Sequence, residues 1–479
     1  MMENLKPLGG CDNRGKVFCS GDEIVREIYS DYLDATKNIY DLYKKYDLKN
    51  SGIVKTEWHE NNEKHILKHQ KHLISYPHEW TPNMFKDVIL LHLDLLINLD
   101  SYGLTLKDAV PNNIVFNFSK PVFVDFLSIL PIKDLENEEW LFKDDNNKHQ
   151  DLRFHVFEKM FIPYFLIPFI ILSRKNYSYV KNILFNKACN SGNNAPNWHD
   201  IGRSSNNSGL KNFIDLFLLK RSINKIKKDK FINFCLEFKS LIEKTDINVG
   251  SSDYSSYYDE KSENFNLTDF DNWQDKQKSV YKILKDLKPK TVLDLGANTG
   301  WFSLLSEKMG ANVIATDIDI ACLENIYSKA KKDNLKILPL DLSFTDLTKK
   351  LNGLSFDESS DVGVYDDKNP IFLPATDRLQ SDLVLCLALI HHLVLGMGNE
   401  IEEVIKTMAA LTNKILILEF VGFDDEKVKQ EPTFYANINK FSEQTYNLDI
   451  VMQVGRKYFR EVEILSSHPE TRKLLILRK

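Results

Sequence analysis

From about residue 275 onward, short apolar runs rich in β-branched residues alternate with helical patterns, and no other feature of this chain narrows its fold as much. The runs are TVLDLG (291–296), NVIATD (312–317), LKILPLD (335–341), DLVLCLAL (382–389), KILILEF (414–420), EVEILSS (461–467) and KLLILR (473–478). Strands that recur with helices between them are satisfied by a parallel sheet covered on both faces, because each crossover needs a helix to carry the chain back. Only the short turn HPETR joins the last two runs, so they are expected to pair as an antiparallel hairpin at one edge of a seven-stranded α/β sheet.

At 479 residues the chain exceeds a usual single domain, and two cores are expected. Apolar periodicity fades over 243–274 into a stretch rich in Ser, Asp, Asn and Tyr. That shift sets the expected divisions: a first domain over 1–245, a linker over 246–274 and the α/β domain over 275–479. A second polar gap, 190–209, reads as a loop inside the first domain. Both charge signs are scattered through the chain and sum to −6, which leaves no basic field for a nucleic-acid partner. The six cysteines contain no CxxC pair and read as reduced packing thiols of a cytoplasmic protein. The amino terminus carries no apolar signal segment. The longest apolar run, 160–172, is interrupted by Pro163 and Pro168 and falls short of the roughly 20 residues that span a bilayer, so it is expected to be a buried helix.

In the α/β domain, DLGANTG (294–300) follows the first strand and opens a helix at Trp301. Gly296 and Gly300 permit a tight turn and a close approach of backbone to a ligand. Such a turn by itself also serves simple strand-to-helix packing. The second strand, however, ends in Asp317, twenty-one residues after Gly296, where a carboxylate can accept hydrogen bonds from both hydroxyls of a ribose. The third strand ends at Asp341-Leu342 and the fourth carries Leu387-Ala388-Leu389. All of these lie at strand C-termini, the ligand edge of an open α/β sheet. The competing reading of Asp317 and Asp341 is a helix cap or a solvated turn. A dinucleotide site competes for the glycine turn, but no hydride-transfer motif accompanies it.

Groups able to take up a proton near that edge are few: His391 and His392 in ALIHHL after the fourth strand, and Glu419 at the end of the fifth. The segment 343–380 shows no strong periodicity and is expected to be a long loop over the ligand edge, with Asp366, Asp367 and Arg378 as candidate substrate contacts. In the first domain, Asp108 and Asn113 stand five apart and Asp125 follows in VDF, the spacing of a kinase-like catalytic loop and metal-holding segment. No glycine-rich phosphate loop or VAIK-type lysine precedes them, and Leu127 replaces the DFG glycine. Asn113 and Asp125 remain candidate ligands for Mg with ATP. His65 and His69 are expected to share a helical face, in a solvated basic segment rather than a metal cage.

Strand order, glycine turn and acid spacing together resemble the class I S-adenosylmethionine-dependent methyltransferases. That resemblance implies a Rossmann-like domain in which Asp294 and the turn Gly296, Asn298 and Gly300 hold the methionine end of the cofactor. Asp317 then takes the ribose, Ile318 the adenine face and Asp341 the adenine amino group, with Leu342 and Leu387 beside them. SYPHEW (75–80), LKDAVPNNIVF (106–116), VDFLS (124–128), LALIHHL (387–393) and LEFVGFDDEKV (418–428) further resemble a family of two-domain bacterial methyltransferases related to host-specific nodulation proteins. It implies a mostly helical α+β, degenerate kinase-like first domain and methyl transfer to a small-molecule or saccharide acceptor. A non-catalytic protein that binds cofactor or nucleotide for regulation, and a bifunctional kinase and methyltransferase, stay open beside it.

Overall fold

The computed structural model describes residues 6–7, 14–21, 23–61, 64–138, 151–173, 177–188, 230–247, 249–252, 270–348, 351–356, 363–430 and 437–479. Cys11, Cys189, the polar stretch 190–209, residues 253–269 of the linker and the side chains of Asp366 and Asp367 lie outside that description. The chain divides into two compact units, Met1–Val249 with Leu351–Phe372, and Gly250–Lys350 with Leu373–Lys479.

The first unit opens on a five-stranded antiparallel sheet in the order β1-β2-β3-β5-β4, built from β1 (Lys6–Pro7), β2 (Gly15–Ser20), β3 (Glu23–Ile28), β4 (Thr56–Asn61) and β5 (Lys64–Gln70). This sheet supplies the strands of the expected mostly helical α+β first domain, but it puts His65 and His69 on β5 rather than on a helix. Residues four apart share one face of a strand as well as one face of a helix, so their spacing does not choose between the two. Residues 71–76 form no strand and lead into a 3-10 turn at Pro77–Glu79. The helix Pro82–Asp100 follows, its first turn capped by Thr81, whose Oγ1 accepts from the Met84 N–H at 3.4 Å. Two short ladders complete the loop region: β6 (Leu104–Leu106) with β9 (Ile129–Pro131), and β7 (Ile114–Asn117) with β8 (Lys120–Phe123).

The apolar run over 160–172 lies inside a longer helix, Arg153–Ser173, which at 21 residues is long and apolar enough to cross a membrane by those criteria alone. Pro163 does not end it, because residues Phe157–Leu166 adopt the wider π turn, in which a missing N–H is accommodated. Most of this helix is buried within the protein, where Phe157 and Phe161 meet Phe234 and Phe238 of the helix Phe231–Lys244 edge to face.

The second unit is built on one seven-stranded sheet. Its strands are β10 (Thr291–Leu295), β11 (Asn312–Asp317), β12 (Ile337–Asp341), β15 (Ser381–Cys386), β16 (Thr412–Phe420), β17 (Glu461–Ser466) and β18 (Lys473–Arg478); a separate hairpin, β13 (Leu351–Phe356) with β14 (Gly363–Phe372), falls between β12 and β15 and groups with the first unit. The sheet order is β12-β11-β10-β15-β16-β18-β17. Five strands run parallel, and β18 returns antiparallel between β16 and the edge strand β17, so the expected terminal hairpin is present. Segment 343–380, expected as a loop, contains β13, β14 and the short helix Ala375–Arg378.

Parallel strands are covered by Asp275–Leu287, Trp301–Lys308, Ile320–Asp333 and Ile401–Leu411. Val292, Val313, Ala315, Ile337, Leu383, Leu385, Ile417 and Ile476 from the sheet close one core with Leu305, Leu323 and Ile326 from the helices. The order of the strands has a further consequence. The chain reverses direction across the sheet at β10, whose neighbours are β11 on one side and β15 on the other, and a crevice opens outside the carboxyl ends of strands at such a switch point.

Candidate cofactor and acceptor site

The turn after β10 is held first by its own backbone hydrogen bonds. Gly296 and Ala297 both donate to the Thr316 carbonyl at 2.9 Å, and the Gly300 N–H closes on Ala297 O at 2.9 Å. Gly296 and Gly300 sit at φ +67° and +84°, in the left-handed region where a side chain is strained. Space excludes a side chain as well: a Cβ on Gly300 would lie 2.8 Å from Ile326, and one on Gly296 would lie 3.2 Å from Leu389. Leu389 therefore brings the loop after β15 against the glycine turn. In that loop Ala388 takes φ +50°, a conformation that an alanine adopts only when its surroundings impose it.

Two acids anchor the turn. Asp294 is buried, and its Oδ2 accepts from Ser303 Oγ at 2.6 Å. Burial pushes its carboxyl up from 3.8 to about 6, against the Ser303 hydrogen bond and with help from the nearby Asp317 charge. Asp317 accepts three backbone N–H groups: Asn298 at 2.7 Å on Oδ2, and Ile318 at 2.7 Å and Asp319 at 3.0 Å on Oδ1. Burial raises this carboxyl too, opposed by those three donors. The helix-cap reading does not hold for either strand-end acid. Asp319 caps Ile320–Asp333, with Oδ1 accepting from Ala321 and Cys322, and Ser343 caps Phe344–Leu347. Asp317 and Asp341 are cross-strand partners at the ends of β11 and β12. Beside them Ile318 leaves 70% of its surface in solvent, whereas Leu342 and Leu387 are buried. A large aliphatic side chain exposed to that extent, next to an acid at a switch point, offers an apolar face to a flat ligand.

The proton-accepting candidates fall into two environments. His391 and His392 lie side by side, their ring centroids 4.1 Å apart and their planes tilted by 41°. Burial holds His391 well below its ordinary value and His392 at about 4, and the positive charges of Arg472 and Lys427 add to both effects. Both rings are neutral at pH 7. Arg472 itself is fixed by two hydrogen bonds to Asp425, at 2.7 and 3.1 Å, strong enough to hold that carboxyl low in spite of its burial. Glu419 has no exposed surface; it pairs with Lys276 at 3.2 Å and accepts from Ser467 Oγ at 2.5 Å. Its charge is matched by a lysine, which is the arrangement of a structural ion pair. Arg378 donates Nε to the Leu373 carbonyl at 3.1 Å.

Asp425, Lys427, Arg472, Lys276 and Ser303 escape a reading of the sequence alone. Asp425 and Lys427 lie within LEFVGFDDEKV, but nothing local couples them to the histidines, and Arg472 lies in a segment that reads only as a turn.

Along 436 residues the chain is 25% identical to the nodulation protein NoeA of Rhizobium meliloti (strain 1021), spanning 86% of this chain and 80% of that protein. The chain is a relative of that nodulation protein. This agrees with the resemblance carried by the SYPHEW and LALIHHL segments. No protein-family model matches the sequence. Among solved structures, WbdD bound to the kinase inhibitor LY294002 overlaps 46% of this chain and 43% of its own, with 15% identity and a TM-score of 0.30. Magnesium protoporphyrin IX methyltransferase (ChlM) from Synechocystis PCC 6803 with bound SAH overlaps 42% of this chain and 81% of its own, with 15% identity and a TM-score of 0.27. The chain thus spans less than half of WbdD. The fold rests on the strand order of the sheet.

Proposed function

We propose that the second unit is a Rossmann-like class I methyltransferase domain that binds S-adenosylmethionine at the carboxyl edge of β10, β11 and β12 and methylates a small-molecule or saccharide acceptor. The observation that carries this reading is the pairing of the left-handed glycine turn with Asp317 and the exposed Ile318 at the switch point of a β12-β11-β10-β15-β16-β18-β17 sheet. Glycine at both positions is required by the left-handed backbone and by the packing of Leu389 and Ile326 against the turn. The residues present fit that cofactor: Gly296 and the loop around Asp294 for its amino-acid end, Asp317 for its ribose, Ile318 and Asp341 for its adenine. A carboxylate offers about four acceptor positions, and Asp317 has three in use, so ribose binding has to share or displace one backbone N–H.

The cofactor supplies an activated methyl group on a sulfonium. Displacement then requires in-line alignment of the acceptor's lone pair and a place for its proton. With His392 neutral at pH 7, its ring is able to accept a hydrogen bond from a hydroxyl or amine and orient it. A ring whose conjugate acid titrates near 4 is a weak base, so we assign His391 and His392 to orientation first and proton uptake second. Arg472, held by Asp425, supplies the adjacent positive charge. We infer that Glu419 keeps Lys276 and the end of β16 in register instead of meeting the acceptor. The first unit is assigned as a kinase-like domain on the spacing of Asp108, Asn113 and Asp125.

The test is calorimetric titration of S-adenosylhomocysteine into the wild type and Asp317→Ala, followed by an acceptor screen with labelled cofactor. Micromolar binding that weakens in the variant supports the proposal. Absence of binding to the wild type removes it, and binding without turnover on any acceptor moves the reading to a cofactor sensor.

A further inference from the structure

The acids of the first unit are arranged differently from what a metal–nucleotide site needs. Asp125 follows β8 at the start of a 3-10 turn, Phe126–Ser128, whose three residues are buried. Its Oδ1 accepts from Arg26 Nη1 at 2.8 Å, with 9% of the arginine side chain and 14% of the aspartate exposed. Arg26 lies on β3, a strand that the sequence separates from Asp125 by 99 residues. Asp108 is committed as well: its Oδ1 accepts both Asn113 Nδ2 at 2.7 Å and Ser128 Oγ at 2.6 Å. Backbone bonds stitch these loops together, from Lys107 N–H to Ser128 O and from Val124 N–H to Asn113 O, each at 2.8 Å.

We propose that Arg26 stands where a divalent cation would otherwise stand, so that Asp108, Asn113 and Asp125 form a closed latch and the first unit takes no metal–nucleotide. A metal reaching Asp125 has to displace from its carboxylate a guanidinium that is itself nearly buried and held in place. A second arginine works in the same direction. Arg14, immediately before β2, donates Nη1 to the Leu127 carbonyl at 3.3 Å and forms an ion pair with Glu138. Two arginines, Arg26 on β3 and Arg14 just before β2, therefore hold the 125–138 segment at Asp125, Leu127 and Glu138. Among the described residues no group of three or more His, Cys, Asp or Glu gathers as a metal cage. The inference does not depend on methyl transfer by the second unit.

The experiment uses the full chain with S-adenosylhomocysteine present, which keeps adenosine binding by the second unit out of the signal. Mn²⁺ with ATP is titrated and bound Mn²⁺ is read by electron paramagnetic resonance, for the wild type, Arg26→Met, Asp125→Asn and the double variant. Millimolar Mn²⁺ and ATP are expected to give no saturable binding to the wild type. Melting curves of the same proteins are expected to show each single variant falling by several degrees, and the double variant losing clearly less than the sum. Saturable Mn²⁺·ATP binding to the wild type at micromolar concentration overturns the proposal even if no variant folds. Strictly additive melting shifts overturn it too, because a latch requires the two residues to be coupled.

Discussion

Asp317 ends β11 and Asp125 lies two residues past β8, and both precede a short turn, yet they are put to opposite uses. Asp317 is surrounded by backbone N–H groups and an exposed isoleucine, with no cation against it among its hydrogen-bond partners. Asp125 is matched by a buried arginine from another strand. Backbone donors organise a carboxylate while leaving acceptor capacity for a ligand, whereas a guanidinium neutralises it and fills the space. The same contrast recurs inside the second unit, where Asp317 and Asp341 stand at the open edge and Glu419 is sealed against Lys276. An acid at a strand end is therefore a site or a brace according to its partner, and the partner comes from far along the chain.

That distinction can be broken in four ways. The largest effect is expected at the sealed pair: Lys276→Met leaves Glu419 buried without its lysine partner, which costs about 3–5 kcal/mol, measured by urea unfolding. Adding Glu419→Gln should recover most of it; if the double variant is no better, Glu419 is not braced by the lysine. Next comes Asp294. Its folded carboxyl is raised from 3.8 to about 6, so the folded state holds its proton more tightly than the unfolded chain, and stability falls as pH rises through that window. At 1.36 kcal/mol per pKa unit, Asp294→Asn is expected to be more stable than the wild type by about 2–3 kcal/mol at pH 7, an advantage that disappears near pH 4. Equal stability gains at both pH values would contradict the assignment.

A third, smaller effect separates the open acid from the latched one directly. Asp317→Ala is expected to weaken S-adenosylhomocysteine binding by about 1–3 kcal/mol, while Asp125→Ala leaves it unchanged; a loss of equal size in both would erase the contrast. The smallest concerns His92, which is buried in the helix Pro82–Asp100 between Phe161 and Phe165. Neither ring nitrogen meets a hydrogen-bonding group among the described residues, and burial pulls its titration down to about 3. The neutral ring is the folded form, so its contribution is retained above pH 6.5 and lost as pH falls from there toward 3. His92→Leu is expected to raise stability at pH 7 by up to about 1 kcal/mol and to flatten the acid limb of the melting profile. A destabilised variant would show that the ring has a polar role.

How much of this was legible in the sequence differs between the units for a physical reason. Strands β10 to β12, β15 and β16 are buried on both faces, so they appear as unbroken apolar runs ended by Gly or Asp, and their boundaries fall within a few residues of where the pattern puts them. The strands of the first unit are interrupted by polar and charged residues, as in KHILKHQ, and a short half-polar run resembles a helix turn as closely as a strand. The hairpin of β13 and β14 was missed because 351–372 has no apolar rhythm. In the site, the glycine turn, Asp317, Ile318 and Asp341 were accessible because each is local to one strand end. Arg472 beside the histidines was not, since its approach depends on where the antiparallel hairpin of β17 and β18 returns to the sheet.

The sequence by itself determined the order and polarity of the α/β elements and the residues at their carboxyl ends, because side-chain period and turn chemistry act over a few residues. Tertiary structure alone decided which charges meet: Arg26 with Asp125, Lys276 with Glu419, Arg472 with Asp425. Those pairs are 99, 143 and 47 residues apart. A buried charge is stable only beside its counter-ion, and packing brings that counter-ion from a segment whose local pattern carries no trace of it.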